Sequence, residues 1–442
     1  MVGSALQRWH LVGVLTLANM CSYVDRSILT LLVGPIRRDL DLSDTQFSLL
    51  HGLAFALFYT TLGVAIALFA DRMNRRNIIA LGIAFWSAAT ALCGMARSFW
   101  QLFAARVAVG VGEATLAPSS YSMLADVFAP NRLGRPLAVF TAGSTVGAGV
   151  ALLVGGAVVG ALAQYEEITL PIVGTLRAWQ VVFLVVGLPG VLVALWVLAL
   201  SEPPRRHHQA SAVPRSTAHV LRECMRHIRS QWQTYTAHFF GFTLLSLLFN
   251  AIAAWTPAFL IRVYDLPASR AGYWLGIIIL IAGAPGMLAG GWLADRLRQA
   301  GYVDATMRTG IVAAVGVLPF AVTATLSTSL TASLACLVPA MFFATLPYGA
   351  AAAGVQHITP SQFRATTSAL YLCCMNLVGM GAGPTLVAMI TDRLFGYDAA
   401  VGYSIALACA ISAPPAALAL WLGLPHFRRS AAHLESLGRS GH

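Results

Sequence analysis

The sequence predicts an all-α polytopic membrane protein with twelve transmembrane helices in two pseudo-symmetric six-helix bundles. Three observations carry that prediction. Of the 442 residues, 58% are hydrophobic and only 10% are charged, whereas a soluble domain carries about 25% charge. Apolar runs of about 20 residues, the length that crosses a hydrocarbon core, recur twelve times. The second six runs also echo the first six. LFADRMNRR after run two is answered by WLADRLRQAG after run eight, with Asp71 and Asp295 at matching places, and the GAG at 147–149 in run five is answered by the GAG at 381–383 in run eleven. A duplicated six-helix unit is an architecture of transporters, with substrate bound near the midplane between the repeats.

The runs lie near 10–34, 47–69, 77–96, 100–125, 136–162, 178–200, 233–261, 271–294, 308–327, 330–352, 365–390 and 400–424. Only a short stretch precedes the first, and no small-residue cleavage site follows it, so it reads as a retained anchor. Arg97 and Ser98 separate runs three and four, and Ser327 to Ser329 separate nine and ten. The loops after even-numbered runs hold Arg72, Arg75, Arg76, Arg132 and Arg135, six arginines between Arg205 and Arg229, and then Arg296, Arg298 and Arg308. The alternate loops are poorer in arginine or offset by acid, as with Asp39, Asp41 and Asp44, Glu166 and Glu167, and Asp392 and Asp398. By the positive-inside rule both termini are cytoplasmic, and a cell (inner) membrane is the expected location.

The longest break follows run six. It predicts an N-terminal bundle over 1–200, a cytoplasmic linker over 201–231, a C-terminal bundle over 232–425 and a tail over 426–442. Within the linker, Val220, Leu221, Cys224, Met225 and Ile228 form one stripe, with Arg222, Arg226 and Arg229 largely off it. That pattern fits an amphipathic helix on the anionic inner leaflet; a solvated linker is the alternative.

Composition excludes several classes. The net charge of +11 is spread over short loops rather than one patch, so no nucleic-acid partner is expected. The seven cysteines show no CxxC spacing, which supports neither a disulfide frame nor a metal site. No HExxH, GxSxG or P-loop occurs, and Gly110-Val111-Gly112 lacks the third glycine of a nucleotide fingerprint. The chain is therefore not expected to be an enzyme or to hold a cofactor. With no ATP motif, a gradient must supply the energy.

Charges inside the apolar runs mark the candidate site. Run four carries Arg106 and Glu113, and each such charge costs roughly 2.5–3.5 kcal/mol at mid-membrane on insertion scales. They share a helix face but stand roughly 10 Å apart along the axis, so each must find a partner elsewhere. Ala108, Gly110, Gly112 and Ala114 between them let a neighbouring backbone approach. Run one carries Asp25 and Arg26. Asp25 lies roughly 22 Å from the inner edge, and Arg106 roughly 9 Å below the outer edge. In a core of about 30 Å these depths coincide, so Asp25 is expected to pair with Arg106, and Arg26 to meet Glu113 about two turns deeper. A carboxylate that gains and loses an arginine partner changes its proton affinity, which suits Asp25 or Glu113 to carry a proton. A permanent structural ion pair is the alternative. Tyr59, Tyr121, Asn250 and Tyr371 are expected to line a cavity. Runs seven and ten carry no acid or base except His238, so that half of the cavity is expected to be apolar.

Asp71-Arg72-Met73-Asn74-Arg75-Arg76 resembles the signature of the major facilitator superfamily between spans two and three, with Asn74 where glycine is common and Ala67 four residues before the aspartate. The finer resemblance is to the Spinster-like branch, related to sphingolipid and lysophospholipid transporters. It rests on Tyr23-Val24-Asp25-Arg26, on Arg106 with Gly110-Val111-Gly112-Glu113-Ala114, and on Pro118 and Ala125-Asp126. It extends through Trp179, Phe183, Gly187, Pro189 and Gly190 to Glu202-Pro203-Pro204-Arg205, and later to Arg364-Ala365 and Gly381-Ala382-Gly383-Pro384. Gln180 departs from the arginine usual in that branch. Val150 after Gly149 departs from the proline of the drug/proton antiporters, which argues against that type.

The resemblance implies a major facilitator fold with spans one and four side by side on a central cavity. It implies a proton-coupled secondary transporter working by alternating access on an amphipathic anionic solute, lysophospholipid- or sphingolipid-like. An organic-anion/proton symporter for small carboxylates is the alternative. Asp71, Arg72, Arg75, Arg76, Asp126, Asp295 and Arg296 are expected at an inner gate, with Arg75 paired to Asp126; a cluster that only fixes orientation is the bland reading. The expected partners are the solute, protons and the bilayer, and the chain is expected to act as a monomer.

Overall fold

The computed structural model describes residues 4–70, 73–129, 132–171, 174–204 and 217–440. Twelve long helical stretches fill the expected runs among these residues: Ala5–Leu31, 44–70, Arg75–Cys93, 99–127, Gly134–Leu162 and Ala178–Leu198, then Trp232–Tyr264, Ala268–Gln299, Ala305–Leu326, Leu330–Ile358, 364–395 and Val401–Ser440. They are called spans one to twelve. Several starts are set by side-chain caps that satisfy otherwise orphaned N–H groups. Ser4 and Gln7 cap span one reciprocally, and Ser43 and Gln46 do the same for span two. Asn74, Ser98 and Ser329 cap spans three, four and ten. The polar residues that punctuate the hydropathy pattern are thus also the helix stops and starts.

Three features go beyond the apolar pattern. Span two opens with a π-turn, Leu49–Leu53, between Asp44–Ser48 and Ala54–Ala70. The acidic loop after span five forms a short antiparallel hairpin, Glu167–Leu170 with Gly174–Arg177, pairing Glu167 with Arg177. The segment expected as a tail continues span twelve to Ser440. It is held by Ser430 against Thr234 at 2.7 Å and by Arg428, which donates to Asp304 at 2.7 Å.

The chain divides into two compact units. The first comprises Met1–Gln209, Ala254–Leu280 and Ala388–Val401; the second comprises Ala210–Ala253, Ile281–Val387 and Gly402–His442. Parts of spans seven, eight and eleven therefore belong with the first six spans rather than with their own half. Glycine packing is one cause. A Cβ at Gly272 would stand 2.7 Å from the Leu152 carbonyl, and one at Gly276 equally close to the Gly149 carbonyl, so spans five and eight touch backbone to backbone. Gly147 of the same GAG packs on Met20 of span one. In the second unit Gly383, from the answering GAG, packs on the Leu247 carbonyl of span seven. The core of the second unit gathers Tyr235, Phe242, Met307, Leu346, Tyr371, Leu420 and Phe427.

The linker helix, Thr217–Ser230, packs on the second unit. Cys224 is buried with its Sγ 3.4 Å from Thr367, and the His227 ring meets Tyr235 and Phe363. Burial there holds the His227 pKa below its ordinary value. Leu221 and Met225 of the expected stripe face outward, with Arg222, Arg226 and Arg229 also exposed; the side chain of Val220 lies outside the described residues.

Candidate functional site

The four charges of spans one and four come together inside the first unit. Asp25, Arg106 and Glu113 are all buried. Arg26 donates to Glu113 Oε2 from Nε at 2.6 Å and from Nη2 at 2.5 Å, the contact that depth alone suggested. Its guanidinium carbon lies 4.8, 4.3 and 4.9 Å from the ring centres of Tyr23, Phe55 and Tyr59. Desolvated rings of this kind add cation–π attraction to the ion pair, and Tyr59 takes its place at the site in this way. Asp25 and Arg106 also meet, but through the main chain: Arg106 Nη1 donates to the Asp25 carbonyl oxygen at 3.2 Å. The Asp25 carboxylate remains within electrostatic range of Glu113, Arg106 and Arg26.

Glycines set this geometry. A Cβ at Gly112 would lie 2.7 Å from Trp86 Cβ and 2.9 Å from the Gly82 carbonyl, and one at Gly110 would lie 3.0 Å from the Phe55 carbonyl. Any side chain there would push span four away from spans two and three and pull Arg106 and Glu113 from their partners. Glu113 Oε1, Arg106 Nε and His51 Nδ1 are among the described polar atoms that stay buried without a hydrogen-bond partner. An unmade bond of this kind costs about 1–3 kcal/mol, and a proton on Glu113 or an anion at Arg106 would relieve it.

His51 joins this group from span two, although a lone histidine in an apolar run carries no signal of a site. Spans two and four run in the same direction, and Gly110 abuts Phe55. One turn earlier on each helix, His51 stands level with Arg106, and it feels the charges of Arg106 and Arg26. It sits on the π-turn of span two, an irregularity that concentrates at functional sites. Nothing in the apolar periodicity announces that turn.

A second cluster ties together the ends of spans three, four and six. Arg75, only 1% exposed, donates from Nη1 to Asp126 at 2.5 Å and Ser122 at 2.9 Å, from Nε to Glu202 at 2.8 Å, and from Nη2 to the Pro203 carbonyl at 2.9 Å. Arg76 donates its backbone N–H to Glu202 at 2.9 Å and its Nη1 to the Leu200 carbonyl at 3.1 Å. The expected Arg75–Asp126 pair is present, and Glu202 joins it. Asp71 and Arg72 lie outside the described residues. Asp295 and Arg296 are exposed in the second unit, where the buried acid is Asp304, bound by Arg308 and Arg428 at 2.7 Å each.

At the opposite end of the first unit, fully buried Asp44 accepts from Arg262 at 2.6 and 2.7 Å and lies 3.0 Å from Arg37. Arg37 also donates to Asp398 at 2.7 Å, and Asp392 accepts from the N–H and hydroxyl of Thr45 at 2.7 and 2.6 Å. From sequence alone these acids mark only the topology of the loops. The available signal was an arginine at the end of span seven facing acid-rich loops. Gln180, at the position that departs from the branch, donates to the Ala96 carbonyl at 3.0 Å, and Trp179 beside it donates to Asp39 at 2.5 Å.

The remaining cavity candidates fall differently. Tyr121 is half-exposed and edge-on to Phe140. Asn250 donates back to the Ser246 carbonyl at 2.8 Å within its own helix. Tyr371 is 2% exposed within the core of the second unit, because His238 and Phe239 close over its ring.

The family model of the Major Facilitator Superfamily matches residues 15–384. The chain belongs to that superfamily. It is a multi-pass membrane transporter with the major facilitator fold, not an enzyme. An MFS-type efflux pump of Mycolicibacterium smegmatis is 29% identical to it, over 95% of this chain and 94% of that one. Protein spinster homolog 1 of Xenopus tropicalis is 26% identical, over 87% of this chain and 73% of that protein. Among solved structures, a bacterial homolog of the human lysosomal transporter Spinster, inward-facing and unoccupied, matches with a TM-score of 0.78 at 26% identity, covering 98% of this chain and 99% of that one. The Spinster-like resemblance therefore extends over nearly the whole chain.

Proposed function

We propose that the protein is a proton-coupled secondary transporter of an amphipathic anionic solute, lysophospholipid- or sphingolipid-like, with both termini in the cytoplasm and the cell membrane as its location. The observation that carries this reading is the half-satisfied pair in the first unit. Glu113 is buried with one oxygen held by Arg26 and the other unpartnered, while Arg106 keeps an unpartnered Nε. Arg26 is held through Nε and Nη2 by Glu113 and packed by three aromatic rings, whereas Arg106 makes one bond to a carbonyl and keeps a buried free Nε for an anionic headgroup.

Protonation of Glu113 weakens its hold on Arg26 and frees spans one and four to move relative to each other. Asp25 shares the field of the same two arginines and serves as the second acid. Asp71, Arg72, Arg75, Arg76, Asp126, Asp295 and Arg296 serve as the inner gate in this reading, with Glu202 added through its bond to Arg75. Support for a lipid-like solute comes from the Spinster-like branch and from the paucity of charge in spans seven and ten.

Purified protein in proteoliposomes tests the reading. An inward proton gradient is expected to drive accumulation of lysophosphatidylglycerol, with collapse of the gradient by protonophore abolishing it. Accumulation of a small aliphatic carboxylate but no lysolipid would replace the substrate class, and uptake indifferent to the gradient would remove the coupling.

A further inference from the structure

The first unit holds a cavity that the site described above does not use. It lies where span one begins and span five is entered, has a volume of about 610 Å³, and is walled by Arg8, Trp9, Phe128, Arg132 and Arg135. The three arginines come from three separate segments: the first helix, the turn after span four and the first turn of span five. Among the described residues no carboxylate lines the cavity. Asp126 and Glu202, which line a neighbouring pocket that shares Arg8, are bound by Arg75. Among the described residues none of the three arginines has an acidic partner, and Arg8 Nε is buried without an acceptor.

Arginines that only fix topology need charge on the right side of the bilayer; they need not converge on a hollow. Three arginines line this one cavity, Arg8 half-buried and Arg132 and Arg135 exposed; together they make a positive site that an anion would neutralise, and the planar guanidinium fork matches phosphate oxygens. The rest of the wall is Trp9 and Phe128 with the small residues Ala5 and Gly134. Trp9 stands edge-on to Phe128 with ring centres 5.8 Å apart and is 44% exposed, the placement of an interfacial anchor. Leu6 on the same helix end is 81% exposed, and so offers apolar surface beside the charged hollow.

We propose that this cavity binds the phosphate headgroup of an anionic phospholipid of the inner leaflet, with its acyl chains lying against Trp9 and Leu6. The location fits the basic pockets between helices on the cytoplasmic side of membrane proteins, which hold anionic headgroups. Bound there, the lipid ties the start of span one to the entry of span five. The assignment rests on the inward orientation of the arginine-rich loops and is independent of what is transported.

Native mass spectrometry of the full chain, delipidated and then titrated with phosphatidylglycerol or phosphatidylcholine, tests it. One equivalent of phosphatidylglycerol beyond phosphatidylcholine is expected to be retained, and R8Q/R132Q/R135Q is expected to weaken that binding roughly a hundredfold. R8K/R132K/R135K preserves the topogenic charge but not the forks, and is expected to bind with intermediate strength; this guards against a mis-inserted glutamine variant. Equal retention of phosphatidylglycerol in all three proteins, or equal retention of the two lipids, overturns the site. Displacement of the lipid by millimolar inorganic phosphate as readily as by added phosphatidylglycerol overturns the lipid assignment in favour of a soluble anion.

Discussion

Spans one and four occupy the places in the first repeat that spans seven and ten occupy in the second, yet their interiors differ in kind. The first pair brings Asp25, Arg26, Arg106 and Glu113 into one buried group. The buried polar residues of the second pair are mainly hydroxyls, such as Thr234, Thr243, Ser246, Ser333 and Thr345, with His238 beside Phe242 and Tyr371. The same duplicated scaffold thus places ionisable chemistry on one side and leaves the other to packing. An intramembrane charge is retained only where function repays its desolvation. Under the proposed function, proton handling falls to the first unit and apolar contact with solute to the second.

The largest effect should come from removing charge in the first unit. Glu113→Gln and Asp25→Asn are expected to abolish gradient-driven uptake in proteoliposomes while leaving solute exchange at equal pH measurable. His238→Leu, the corresponding loss in the second unit, should leave the gradient dependence in place. A His238→Leu protein that loses coupling, or a Glu113→Gln protein that keeps it, would break the comparison.

Much of this was legible in the sequence because the membrane imposes simple rules. Twelve runs, the GAG echoes, and the depth match that set Arg26 against Glu113 and Asp25 near Arg106 all follow from helix rise and the cost of charge in lipid. What was not legible depends on contacts between distant segments. The pairing of Arg262 with Asp44 joins residues 218 positions apart, and Glu202 reaches Arg75 across 127. His51 gains its place from a π-turn that hydropathy does not encode. Tyr371 reads as a polar residue in an apolar run, and only the rings of His238 and Phe239 show that it is core.

A smaller effect separates the Arg75 cluster of the first unit from the Asp304 cluster of the second. Arg75 is 1% exposed and serves Asp126, Ser122, Glu202 and the Pro203 carbonyl. Arg75→Ala removes the guanidinium that Asp126 and Glu202 share and is expected to cost about 3 kcal/mol, visible as a clear fall in the melting temperature in detergent. Arg308 is more exposed, and its partner Asp304 keeps Arg428. Arg308→Ala is therefore expected to cost about 1 kcal/mol or less. Equal losses would mean that the two ends are braced alike despite their different burial.

The smallest effect should appear where the second unit carries a polar atom that no hydrogen bond uses. The Tyr371 hydroxyl is buried among His238, Phe239 and the surrounding core without a partner. Removing an unsatisfied buried hydroxyl while keeping the ring leaves packing intact and lifts a desolvation cost. Tyr371→Phe is therefore expected to leave the melting temperature unchanged or to raise stability by up to about 1 kcal/mol, with the gradient dependence of uptake unaltered. Unchanged stability with impaired solute affinity would give the hydroxyl a contact with solute in another conformation. The second unit would then recognise its solute through polar groups as well as apolar surface, and the contrast with the first would narrow to one of charge alone.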